Sequence, residues 1–230
     1  AAPLDAGAML QTLCLAYAGA GRSVLTFKPT YALHSHIAKV SGARVIDCPR
    51  REDFTLDVER AIEVVRAEAP IITFVCSPNN PTGRVESEES VVALLDAVED
   101  VDGLLVVDEA YGQFSPWSAL SLVHDDRSVA VTRTYSKTWS AAALRLGYLI
   151  GPTWVVDELD KASAENKTKS DAFLAQNKAK AGVQSLPGGV QYRVLEAGSG
   201  AKPNQASEVT LQYKGALTDG RVFVDTFSPQ

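Results

Sequence analysis

An alternation of short apolar runs with helix-like segments is the feature that most constrains the fold of this chain. The runs "SVLTF", "ARVIDCP", "PIITFVCSP" and "GLLVVDEA" have the length of strands, and the segments between them repeat apolar residues every three or four positions. Strands that are apolar throughout and alternate with helices are typical of parallel sheets. We therefore expect an α/β domain with a mostly parallel sheet and helices on both faces.

The boundaries of several elements are also predicted by the sequence. Apolar residues at helical spacing predict a first helix over Asp5–Ala20. The segment "SEESVVALLDAVED" predicts another helix, for which Ser87 or Ser90 would be the N-cap. The segments "SVAVTRTYS" and "LGYLIG" predict two further strands.

The last third of the chain has a different texture. Residues 162–185 are polar and rich in Ala and Lys, which predicts a linker helix. Residues 186–230 alternate apolar with polar positions between turn residues, which is typical of a short antiparallel β segment. Acidic residues outnumber basic ones before residue 162 and basic residues outnumber acidic ones after it. We therefore predict three parts, at 1–161, 162–185 and 186–230.

Composition excludes several classes of protein. The net charge of −6 argues against a nucleic-acid partner, and no apolar run is long enough to span a membrane. Cys14, Cys48 and Cys76 are far apart, and each lies in an apolar run, so we expect buried thiols rather than disulfides or a zinc site. Such thiols favour a reducing, cytoplasmic location.

Polar segments follow three of the predicted strands: "CSPNNPTG", "DEAYGQF" and "TRTYSK". Ligands of parallel α/β sheets bind at the carboxyl ends of strands, so these segments are candidates for a site. Taken singly, Asn80 could be only a turn residue and Asp108 only a cap or turn carboxylate.

The histidines give no comparable signal. His34, His36 and His124 lack a convergent ligand spacing, and we interpret all three as ordinary histidines.

Together, the polar residues supply a set of groups that suits pyridoxal phosphate. The cofactor needs an amine for covalent attachment, a carboxylate for its pyridinium proton, donors to its phenolate oxygen, and a cationic, hydroxyl-rich cradle for its phosphate. The candidates are Asn80, Asp108, Tyr111, Ser136, Lys137 and Arg145. No metal ligand is predicted.

The segments "SPNNPTG", "VVDEAYGQF" and "TRTYSKTWSAAALRLGY" resemble the successive signature segments of the class I/II pyridoxal-phosphate aminotransferases. The resemblance covers roughly residues 7–161 and is strongest to the histidinol-phosphate aminotransferase group. It implies a fragment of the large domain of that fold. It also implies an amino donor and a 2-oxo acid, 2-oxoglutarate, as small-molecule partners.

The resemblance assigns the chemistry to two residues. Lys137 would hold the cofactor covalently and would move a proton between the substrate carbon and the cofactor carbon. Asp108 would pair with the ring nitrogen of the cofactor.

The same resemblance assigns cofactor contacts to five further residues. Asn80 and Tyr111 would hydrogen-bond the phenolate oxygen. Tyr31, in "KPTYALH", would stack on the ring face. Ser136 and Arg145 would bind the phosphate.

The chain departs from the family pattern at two places. Residues Asp5 to Ala8 stand where the family usually has a phosphate-binding turn, and Ala143 stands where it usually has glycine. We therefore expect weakened cofactor binding. Because the sequence also lacks the small domain of that fold, we expect turnover to be impaired by truncation. Since later strands that would cover both pieces are not present in the sequence, we also expect self-association.

From about residue 162 onward, the segment "KSDAFLAQNKAKAGVQSLPGGVQYRVLEAGSG" and the strands after it resemble an FKBP-type prolyl isomerase of the macrophage-infectivity-potentiator kind. This resemblance implies an alternative function, prolyl isomerisation or chaperone-like binding of polypeptides. A non-catalytic chimera of two fragments is the third possibility that the sequence leaves open.

Overall fold

The computed structural model describes residues 6–204, 206–216, 218, 220 and 222–227. The chain divides into two compact units, Ala1–Ser163 and Ala164–Gln230. The helices are α1 (Ala6–Tyr17), α2 (Ala32–Ser41), α3 (Val58–Glu68), α4 (Glu88–Glu99) and α5 (Thr153–Lys178). The strands of the first unit are β1 (Ser23–Lys28), β2 (Arg44–Pro49), β3 (Ile72–Cys76), β4 (Leu104–Asp108), β5 (Val129–Thr134) and β6 (Gly147–Ile150).

One six-stranded sheet organises the first unit, with the strand order β2-β1-β3-β4-β5-β6. The first five of these strands are parallel, and β6 runs antiparallel to β5. The α/β fold with a mostly parallel sheet is thus confirmed. The parallel pairing brings the carboxyl ends of β1, β3, β4 and β5 to one edge.

Helices cover both faces of this sheet. On one face, α3 and α4 pack against side chains such as Leu25, Val75 and Val107. On the other face, α1, α2 and Val155 of α5 pack against neighbours such as Phe74 and Val106. Successive residues of a strand point to opposite faces, so strands that are buried on both sides are apolar at most positions, with buried threonines such as Thr26 and Thr73 among them.

The ends of the helices follow from local chemistry. The Ser87 hydroxyl accepts the Ser90 N–H and caps α4, which selects between the two predicted caps. Gly42 closes α2 in the left-handed region, at φ 90°. The first helix ends at Tyr17, three residues before its predicted end, because Gly19 leaves helical geometry at φ 143°. The predicted start, Asp5, lies outside the described residues.

Among its described residues, the second unit contains most of α5 and four short strands. These are β7 (Gln184–Ser185), β8 (Gln191–Tyr192), β9 (Lys214–Ala216) and β10 (Val222–Asp225), and they form two separate antiparallel pairs. Short antiparallel strands occur within residues 186–230, but residues 207–213, which alternate apolar with polar positions, are irregular. Val209 and Leu211 are more than half exposed there, so their alternation has no sheet face to cover.

Two further expectations from the sequence concern the three cysteines and membrane-spanning helices. Cys14, Cys48 and Cys76 are free and buried, as predicted. Of the helices in the described part of the chain, none has the length and apolarity needed to cross a membrane.

Candidate active site

The loops at the carboxyl edge of the sheet surround a cavity of about 270 Å³. This volume is near the lower end of small-molecule pockets, which begin at ~300 Å³. Every site residue selected from the sequence lines it: Tyr31, Asn80, Asp108, Tyr111, Ser136, Lys137 and Arg145. Residues separated by more than a hundred positions therefore meet at one place.

Asp108 is the last residue of β4 and is only 2% exposed. Its Oδ1 accepts the backbone N–H of Ala110 at 3.0 Å, and its Oδ2 accepts a hydrogen bond from His34 Nε2 at 2.9 Å. A carboxylate has about four lone-pair positions, so the two oxygens can still accept from a group in the cavity. The two contacts compensate part of the cost of burying this carboxylate.

His34 was wrongly interpreted as an ordinary histidine. Its ring is fully buried and stacks on Phe74, with centroids 4.6 Å apart and an interplanar angle of 7°. The edge-on ring of Tyr31 lies 5.5 Å from it. His34 Nδ1 has no hydrogen-bond partner among the described residues, so the Nε2 contact with Asp108 is its one polar anchor there.

Lys137 lies in the loop after β5, and its Nζ is 5.8 Å from the centre of the Tyr111 ring. This is within the range of a cation–π contact. The neighbouring Ser136 donates its backbone N–H to the Thr134 hydroxyl at 3.0 Å. The amine, the phenol and the hydroxyl of this part of the site are therefore supplied by two adjacent loops.

Arg145 and the start of α1 complete the lining. Arg145 has left-handed backbone geometry, φ 49°, and its Nη1 donates to the Ala142 carbonyl at 3.3 Å. Gly7, in the first turn of α1, also lines the cavity. A helix N-terminus carries unpaired N–H groups that favour anions, so a cation and a helix start share this part of the site. Asp5 lies outside the described residues.

The strand ends that carry Asp108 and Lys137 are joined by an ion pair. Glu109 is 3% exposed, and its Oε2 accepts Nη2 of Arg133 at 2.7 Å and Nε at 3.0 Å. Burial acts to lower the pKa of Arg133, but the hydrogen bonds of its guanidinium with Glu109 and Tyr148, together with the charges of those two groups, raise the pKa overall. Gly112 lies close beside this pair: a Cβ there would be 3.0 Å from Glu109 Cβ and 3.1 Å from its Oε2, so a larger residue would press on the Glu109 side chain.

Cys76 also lines the cavity, at the end of β3 and directly opposite Asp108 in the sheet register. Burial, and then the negative charge of Asp108, raises the pKa of this thiol. Cys76 therefore stays protonated at neutral pH and presents an unreactive apolar wall.

Sequence reasoning missed His34, Cys76 and Thr134 in this site. A usable signal existed for His34, because it lies three residues after Tyr31 at the start of a predicted helix, and residues at i and i+3 share a helix face. The other two are the last residues of strands that had already been assigned to the sheet.

Comparison with known proteins places this geometry in a family. The sequence profile of the family described as "Aminotransferase class I and II" matches residues 4–181. The match extends past residue 161 into the predicted linker helix. Members of this family depend on pyridoxal phosphate.

Curated relatives and solved structures agree with this match. The histidinol-phosphate aminotransferase of Streptomyces avermitilis is 41% identical over 151 residues, which are 65% of this chain and 41% of the relative. A putative histidinol-phosphate aminotransferase from Erwinia carotovora atroseptica aligns with a TM-score of 0.65, at 20% identity, over 81% of this chain and 63% of that one. Cystalysin from Treponema denticola, described as containing a pyridoxal 5'-phosphate cofactor, aligns at 0.63 and 18% identity, over 70% and 43%.

The chain spans about two fifths of the length of the curated relatives that it matches. The predicted resemblance of residues 162–230 to prolyl isomerases receives no support from these comparisons. The matched profile, the curated relatives and the cavity at the carboxyl edge of the sheet lead to one conclusion: this chain belongs to the class I and II aminotransferase family.

Proposed function

We propose that the first unit binds pyridoxal phosphate and serves an aminotransferase of the histidinol-phosphate type. The observation that carries this proposal is the meeting of all seven predicted residues in one cavity beside the buried carboxylate of Asp108. Amine, carboxylate, amide, phenols, hydroxyl and guanidinium together match each polar group of the cofactor.

The fit can be tested on the residues present. The Asp108 carboxylate keeps lone pairs that can accept the ring-nitrogen proton, and His34 and Ala110 hold it in place. Arg145 and the first turn of α1 supply positive charge and N–H groups of the kind that bind phosphate. The rings of Tyr31 and Tyr111 line the cavity, where one can supply a face for stacking and the other a phenol for hydrogen bonding. The cavity therefore fits the cofactor that the family uses.

Asn80 and Tyr111 would hold the phenolate oxygen, Tyr31 the ring face, and Ser136 with Arg145 the phosphate. When bound, pyridoxal phosphate supplies an electron sink for charge that develops at the substrate carbon.

The protein contributes orientation and proton transfer. Asp108 would hold the proton on the ring nitrogen of the bound cofactor, because a buried negative charge favours that protonated form. Lys137 Nζ is the cavity's lysine amine, and it is the group that would accept and return the proton at the substrate carbon. The Tyr111 ring beside Nζ gives the amine a defined resting position.

The substrate pair is the finer part of the proposal. The relatives are named histidinol-phosphate aminotransferases, so we infer histidinol phosphate as amino donor and 2-oxoglutarate as acceptor. The test is a titration with pyridoxal phosphate followed by absorbance, and then addition of histidinol phosphate to the loaded chain. The proposal predicts a spectral change that 2-oxoglutarate reverses and that Lys137→Ala abolishes. A loaded chain that responds to neither compound would contradict the substrate assignment.

Self-association remains a prediction about partners. Phe114, Trp139 and Leu144 are each at least 60% exposed, and a hydrogen bond from Thr138 to Gln113 links two of the loops that carry them. Exposed apolar groups of this size favour burial against another surface. Sedimentation velocity over a concentration series should show a dimer or larger species, and a monomer throughout would contradict this expectation.

A further inference from the structure

Asn79 precedes a predicted cofactor contact, Asn80, and every polar group of the Asn79 side chain is hydrogen-bonded. The residue is 2% exposed, and its Nδ2 donates to the Pro29 carbonyl at 3.0 Å and to the Thr82 hydroxyl at 2.8 Å. Its Oδ1 accepts the Thr30 hydroxyl at 2.8 Å. Both amide hydrogens and the amide oxygen are therefore bonded, which is the favourable state for a buried amide.

These bonds connect two different loops of the cavity. Pro29 and Thr30 follow β1 and lead directly into Tyr31, whereas Thr82 belongs to the loop after β3 that carries Asn80. Tyr31 and Asn80 both line the cavity, and no strand pairing extends to either residue. The side chain of Asn79 thus joins the two loops at a point beyond the last paired residues of their strands.

The connection also reaches the start of α2. The His34 backbone N–H donates to the Tyr31 carbonyl at 3.2 Å, so the turn that Asn79 holds continues into the helix that positions His34. A shift of this turn would therefore move the ring of Tyr31 together with His34, the hydrogen-bond partner of Asp108.

We propose that Asn79 is a positioning residue, whose side chain holds the Tyr31 loop and the Asn80 loop at the separation that the cofactor requires. This inference rests on the proposed function, since it takes Tyr31 and Asn80 as cofactor contacts. It adds a residue that touches neither the cavity nor any reacting group. Asn79 acts through Tyr31 and Asn80, by limiting the arrangements that the loops of these two residues can adopt before the cofactor binds.

The loop after β3 should remain folded when the amide is removed. The Asn79 backbone N–H donates to the Arg84 carbonyl and its carbonyl accepts the Gly83 N–H, both at 2.7 Å, and a substitution of the side chain leaves both bonds in place. Asn79→Ala is therefore a suitable variant. Thr30→Val, which removes only the hydroxyl donor on the other loop and keeps the side-chain shape, is the second.

The experiment measures the dissociation constant of pyridoxal phosphate by fluorescence titration, and it compares Asn79→Ala in the natural chain and in the Asn80→Ala background. In the natural chain we expect Asn79→Ala to raise the dissociation constant about tenfold and Thr30→Val about threefold. In the Asn80→Ala background the effect of Asn79→Ala should fall to about threefold or less, because part of its action is already lost.

Ser23→Ala is the matched control. It removes a hydroxyl donor to the Glu68 carbonyl at the amino end of β1, the end opposite the cavity, and should leave the dissociation constant unchanged. Circular dichroism and thermal unfolding of each variant establish that the chain is folded.

The outcomes separate the two claims. Equal effects of Asn79→Ala in both backgrounds, or no effect in the natural chain, would overturn the positioning role while the cofactor site stands. Failure of the natural chain itself to bind the cofactor would overturn the proposed function, and the inference with it.

Discussion

His34 Nε2 lies 2.9 Å from Oδ2 of Asp108, although the two residues are 74 positions apart in the sequence. Both side chains are buried, and stacking on Phe74 fixes the orientation of the imidazole ring. The pair joins the helix after β1 to the end of β4, and it determines which way the carboxylate is turned at the cavity.

His34→Phe should weaken cofactor binding because it keeps the ring stacked on Phe74 but removes the donor to Asp108. We expect the dissociation constant of pyridoxal phosphate to rise about tenfold, which is the lower end of the range for loss of a hydrogen bond to a charged group. Fluorescence titration measures it. His124→Phe, at an exposed position outside the cavity, is the control and should bind like the natural chain. Equal affinity of the two variants would show that His34 does not act on Asp108.

Breaking the Glu109–Arg133 pair should destabilise the first unit. Arg133→Met leaves the Glu109 carboxylate buried with only the Ser118 hydroxyl and the Ala119 N–H. We expect a loss of about 2–4 kcal/mol in the free energy of unfolding, near the cost of removing one partner from a buried pair. Urea unfolding followed by circular dichroism gives this value.

The exposed pair of Arg51 with Asp57 is the control for this experiment. Surface pairs contribute little, so Arg51→Met should leave the unfolding midpoint nearly unchanged. Similar unfolding midpoints for Arg133→Met and Arg51→Met would show that the buried Glu109–Arg133 pair does not stabilise the first unit.

Stability should fall at alkaline pH because of Cys14. Burial raises the pKa of this thiol from 9.0 to about 12, so above pH 9 the unfolded chain loses a proton that the folded chain retains. The contribution is complete below pH 9 and is lost between pH 9 and about 12, by up to about 1.4 kcal/mol per pH unit.

Urea unfolding of the natural chain and of Cys14→Ala between pH 8 and 10.5 isolates this effect. The variant should be less stable at pH 8 but should lose less stability as the pH rises. Parallel pH profiles would show that Cys14 does not contribute. The pKa of Tyr17 is raised to about 12 by burial and then by the charge of Glu158. Tyr17 is present in both chains, so it lowers the free energy of unfolding of both equally as the pH rises.

The fold of the first unit could be predicted because its signals are local. Each buried strand is an apolar run, and each helix between strands has its own periodicity. The rule that ligands bind at the carboxyl ends of parallel strands then brought Asp108 and Lys137 together without knowledge of the strand order. The order β2-β1-β3-β4-β5-β6 itself depends on pairings between distant segments and was not predicted.

The residues that the sequence did not reveal depend on contacts across the fold. His34 gains its importance from Asp108 on another strand, and Asn79 gains its importance from two turns that meet only in the folded chain. In the second unit, the alternation within residues 186–230 predicted a short antiparallel β segment. The stretch around Val209 and Leu211 is irregular, because alternation specifies a strand only where a sheet face buries one side.

The central claim is that Lys137 is the cofactor lysine, and one measurement tests it most directly. The chain is incubated with pyridoxal phosphate, reduced with borohydride, digested and examined by peptide mass spectrometry, in parallel with Lys137→Ala. The account predicts one dominant adduct, on the peptide that contains Lys137, and its loss in the variant. Adducts scattered over exposed lysines, with equal total labelling in the natural chain and the variant, would contradict it.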